Sequence, residues 1–151
     1  TETRKVLHAY LAIGFLRAKA QRHDQLDRKL AEGEDYGALV ELYNEMFRHL
    51  FRHMSDEVGP IAEVILEKYL NELKGRPGSL FARARLRRDG SLDVEQIERN
   101  VLGLEENERK GQLIEALNEL LYAELLAVKR TLGASHESQL VHVFRKMRGE
   151  A

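Results

Sequence analysis

The chain has 151 residues, a formal net charge of −1, 43% hydrophobic and 32% charged residues, two prolines and no cysteine. That length supports one domain with its own core, without help from a disulfide or a structural metal. The near-zero charge gives no general attraction to nucleic acid or to an anionic membrane, and the lack of cysteine excludes thiolate chemistry.

Residues 2–31 predict one long helix, interrupted only by Gly14, which alone costs about 1 kcal/mol. Its first half carries Val6, Leu7, Tyr10, Leu11, Ile13, Phe15 and Leu16 nearly all round. One neighbouring helix covers less apolar surface than this. Leu7, Leu11 and Phe15 are therefore expected either at the centre of the monomer or against a second subunit or upstream domain. The chain opens with Thr1 and reads as a single helical domain over residues 1–151, one that a longer protein could contain.

Residues 36–54 predict the organising helix. Tyr36, Leu39, Val40, Tyr43, Met46, Phe47, Leu50, Phe51 and Met54 recur at three- and four-residue steps. With Leu42 they cover about half the circumference, which places this helix in the middle of a bundle. Glu41, Asn44, Glu45, Arg48 and Arg52 form the polar remainder, with His49 and His53 at its edge. The helix is expected to end near Met54, with Ser55, Asp56 and Glu57 capping the next. Gly59-Pro60 either kinks that next helix or sits at its start. Ile61, Ala62, Ile65, Tyr69 and Leu73 give it an apolar face, and Gly75-Arg76-Pro77-Gly78 ends it.

Over residues 80–88 the rhythm becomes two: Leu80, Ala82, Ala84 and Leu86 alternate with Phe81, Arg83, Arg85 and Arg87. With the turn signal Asp89-Gly90 this predicts a small β-hairpin over residues 80–93, a short helix plus loop being the other reading. Asp93 is expected to cap a short helix carrying Val94, Ile97, Val101 and Leu104. A second long helix spans residues 106–132 on Leu113, Leu117, Leu120, Leu121, Leu125 and Val128, stopping at Gly133. A final helix from Ser135 presents Leu140, Val143, Phe144 and Met147. The expected fold is an all-α bundle of about six helices, two of them long, with one small hairpin. No run of residues is apolar enough to span a bilayer.

Four features could carry chemistry. His49 and His53 stand one helical turn apart, a spacing at which imidazoles share a metal, but Arg48 and Arg52 flank them and no third ligand is identifiable. Edge-of-core histidines are the plainer reading, and no metal site is assigned. His53 followed by acidic residues and Gly59-Pro60 is loosely similar to the phospho-accepting region of two-component dimerisation domains. Here Met54 stands where those regions place an acid, and Val58-Gly59 where they place basic residues before the proline. Arg83, Arg85 and Arg87, with Arg88, form a cationic comb with no acid between Glu72 and Asp89. It suits an acidic protein surface better than nucleic acid, for which interleaved aromatics are missing. Glu124 falls within the arc of Leu117, Leu120, Leu121 and Leu125. A carboxylate there needs an internal ion pair, takes up a proton, or meets a ligand.

Two stretches, Val58-Gly59-Pro60-Ile61-Ala62 and residues 113–133, resemble small helical segments appended to multidomain bacterial signal-transduction proteins. The likeness covers under a third of the chain and transfers no functional residue; it implies a regulatory or adaptor role. The expectation is thus a non-enzymatic cytoplasmic signalling or interaction domain that self-associates as a dimer through Leu7, Leu11 and Phe15. Arg83, Arg85 and Arg87 would meet an acidic partner. The alternatives are a helical sensor binding a small ligand, haem or metal near His49, His53 and Glu124, and a histidine phosphotransfer module.

Overall fold

The computed structural model describes residues 35–149. They form five α-helices and no strand: α1 (Tyr36–Val58), α2 (Ile61–Lys74), α3 (Val94–Leu102), α4 (Arg109–Leu132) and α5 (Ala134–Met147), with a 3-10 turn at Glu106–Glu108 leading into α4. The all-α class is as expected. The count of six helices gives way to five among the described residues, because the helix expected over residues 2–31, with Leu7, Leu11 and Phe15, lies outside them.

The apolar stripe of α1 puts Leu39, Val40, Tyr43, Met46, Phe47, Leu50 and Met54 in the core, and the helix packs against all four others. Asp35 opens it by accepting a hydrogen bond from the Ala38 amide at 2.9 Å. It runs on to Val58, past the expected end at Met54, because Ser55, Asp56 and Glu57 extend it instead of capping α2. Gly59, at φ +72°, breaks it in a conformation that side chains with a Cβ adopt at a cost. Pro60 then stands at the boundary of α2, where its missing amide hydrogen is not needed.

α4 is the second centre, packed against α1, α2, α3 and α5. Leu113, Leu117, Leu120, Leu121, Leu125 and Val128 are fully buried. Its joint with α5 is Gly133 alone, at φ +104°. α5 is tied back at its far end, where the buried Arg148 lies 5.6 Å above the Tyr43 ring and the Tyr43 hydroxyl donates to Asn118 of α4 at 2.8 Å. Burial pushes the Tyr43 phenol well above its ordinary range.

The hairpin expected over residues 80–93 does not form. Leu86 and Leu92 make one isolated antiparallel bridge, closed by Arg87 N–H to Ser91 O at 2.7 Å, and residues 80–83 are turns. Leu80 and Phe81, neighbours in sequence, are both buried, which a strand with alternating faces forbids. Arg83 sits at φ +63°. Two asparagines supply the backbone partners that a second strand would have offered. Asn100 of α3 donates to Leu80 O at 2.9 Å and Ala82 O at 2.7 Å. Asn44 of α1, fully buried and not on the outer polar strip, accepts from Leu92 N at 2.9 Å and donates to Leu92 O at 3.1 Å. Asp93 makes no capping hydrogen bond to α3; its carboxylate lies 3.9 Å from Arg87.

Candidate functional site

His49 and His53 lie on the side of α1 that meets α5. The His49 ring stands edge-on to Phe144, with centroids 6.2 Å apart at 80°. Burial, then the charges of Arg52 and His53, lower its pKa and favour the neutral ring. One turn on, Nε2 of His53 is 3.0 Å from Nδ1 of His136, on the first turn of α5. The two rings cross at 69° with centroids 5.2 Å apart. One nitrogen of this pair donates and the other accepts.

His136 carried no mark in the sequence. It is a lone histidine among Ser135, Glu137 and Ser138, and only the packing of α5 on α1 brings it to His53. Its neighbour Glu137 is buried, with Oε2 lacking a hydrogen-bond partner among the described residues. Burial raises its pKa, and Lys129 opposes that.

Glu124 belongs to a different part of the molecule. Stepping by 100° per residue, it shares the face of α4 formed by Leu113, Leu117, Leu120 and Val128, all fully buried. Neither carboxyl oxygen has a hydrogen-bond partner among the described residues. Desolvation alone holds its pKa well above the usual carboxylate range, which favours the protonated form. The expected ion pair with an arginine or histidine of another helix is not found among the described residues. Nor do His49, His53 and Glu124 combine: no set of three or more histidine, aspartate or glutamate side chains among the described residues is placed to hold a metal ion.

Arg83, Arg85, Arg87 and Arg88 are exposed, although the strand that was to align them is missing. Arg87 faces Asp93, whereas no ion pair among the described residues involves Arg83, Arg85 or Arg88. Nearby, a groove of about 300 Å³ opens between the loop after α2 and α4, and Arg76 closes one lip by binding Glu119 at 2.7 Å.

Among the described residues Ile61, Val64 and Leu102 are the large apolar side chains left most open. Ile61 (54% exposed) and Val64 (65%) are three residues apart on α2 and so share a face. The exposed acids Asp56, Glu57, Glu63 and Glu67 stand in the surrounding sequence. No helix among the described residues is long and apolar enough to cross a membrane. Comparisons with protein-family models, curated proteins and solved structures find no match to this chain.

Proposed function

We propose that the chain is a helical interaction domain of signalling type that pairs with a second copy of itself. The observation that carries this reading is the outward pair Ile61 and Val64 on α2, with Lys68 on the same face and the exposed acids Glu63 and Glu67 of α2 and Asp56 and Glu57 at the end of α1 nearby in the chain. A surface complementary to it would be apolar and basic. This chain contains such a stretch: Leu7, Leu11 and Phe15 are flanked by Arg4 and Lys5 on one side and by Arg17 and Lys19 on the other. Burying the apolar pair against that stretch of a second copy removes its hydrophobic surface from water, while opposite charges at the rim fix the register. The exposed Arg83, Arg85 and Arg88 leave a second, cationic face for an acidic protein.

Sedimentation at rising concentration tests the pairing. A dimer that becomes a monomer on Ile61→Glu/Val64→Glu and equally on Leu11→Glu/Phe15→Glu is the expected result. A monomer of 17.4 kDa at several hundred micromolar would sink it.

A second reading, a helical sensor, is favoured by Glu124. An enclosed carboxyl group with no hydrogen-bond partner among the described residues is what a cationic or hydrogen-bonding ligand would satisfy. Its test is a thermal shift with small amines that disappears in Glu124→Gln.

A further inference from the structure

We propose that His53 and His136 form a clamp for a divalent transition-metal ion, zinc being the probe of choice, which staples α5 to α1. Their facing nitrogens, Nε2 and Nδ1, are 3.0 Å apart. Two imidazole ligands at 2.0–2.1 Å from a tetrahedral zinc stand roughly 3.3 Å from each other, and cis ligands of a six-coordinate ion roughly 2.9 Å. The observed separation lies between these values. Turning the two half-buried rings until both nitrogen lone pairs converge on one point beside the line between them replaces the shared proton by the ion. Nitrogen-only ligation suits zinc, nickel and copper, and disfavours magnesium and calcium.

Both ligands ride on helices whose packing is set elsewhere, by Phe144 against His49 and by Arg148 over Tyr43. The cost of bringing together side chains 83 residues apart is therefore met by the fold before the ion arrives. Arg52, next to His53 in the chain, and the positive end of α5, whose first turn holds His136, oppose a dication and keep its affinity modest. The remaining coordination positions fall to water, so this is an exchangeable, regulatory type of site and not a buried structural one.

Titration of the full, tag-free chain with zinc chloride by calorimetry tests the clamp. One equivalent should bind, and the melting temperature should rise with zinc concentration and fall back with chelator. His53→Gln and His136→Gln should each weaken binding by at least about tenfold. His142→Gln, exposed on the other side of α5, should leave it unchanged. Absence of saturable one-to-one binding, or full affinity in either clamp variant, overturns the proposal. If a variant fails to fold, imidazole nitrogen resonances of the unaltered protein provide the answer: both His53 and His136 should shift with zinc, and unmoved resonances overturn the proposal.

Discussion

A carboxyl group sealed among leucines on α4 makes stability depend on pH in an uncommon direction. Glu124 holds its proton more tightly folded than unfolded, because burial disfavours the charged form. Its share of stability is whole below its ordinary value of 4.5 and is lost as pH rises from there through the raised value. Glu124→Gln should remove that slope in urea unfolding between pH 5 and 8. Glu124→Met also removes the two oxygens that lack partners among the described residues, and should be the more stable at pH 8 by about 1–3 kcal/mol. A Gln variant that is weaker at pH 8 and retains the slope would mean that Glu124 is ionised and paired. His49 works in the opposite sense. Its lowered pKa gives stability that is present above its ordinary 6.5 and lost as pH falls below that value. Single variants separate the two contributions. Asn44 offers a third test: Asn44→Leu leaves the amide and carbonyl of Leu92 buried without partners. It should cost about 3 kcal/mol of unfolding free energy, from two such groups.

At the scale of elements, the joints divide into those constrained by backbone alone and those constrained by packing as well. Gly59 has open space where a Cβ would go, so Gly59→Ala should cost only the backbone penalty of φ +72° with ψ −148°, a region essentially reserved for glycine, about 1–3 kcal/mol. Gly90 at φ +86° adds a clash, because its Cβ would run into Phe51; Gly90→Ala should cost more than Gly59→Ala in the same thermal melts. The helices were legible because burial on one face leaves a period near 3.6 that survives in a single sequence. Residues 80–93 were not. Alternation of small and apolar residues against arginines fits a strand and an irregular loop equally, and what selects the loop is distant: Phe81 turned into the core, and Asn44 and Asn100 on two helices. For the same reason His53 and Glu124 could be read as candidates, whereas His136 could not. Periodicity shows that a side chain faces inward; it does not show which residue it faces.

For the whole molecule, the described residues make a closed core around α1 and α4, with a separate cationic edge at Arg83, Arg85 and Arg88. Those three side chains are exposed, so Arg83→Glu/Arg85→Glu should leave thermal stability within about 0.5 kcal/mol per site. The same change should abolish any salt-sensitive binding of an acidic protein, with binding retained at low ionic strength excluding this edge as the contact. The grip of Asn44 on residue 92 also has a dynamic side. Irregular chain segments ordinarily swap their amide protons with solvent quickly, but the Leu92 proton is enclosed and held by a side chain from the central helix. Deuterium should therefore reach it only as slowly as it reaches the middle of α1, making this amide of an irregular segment a reporter of global opening.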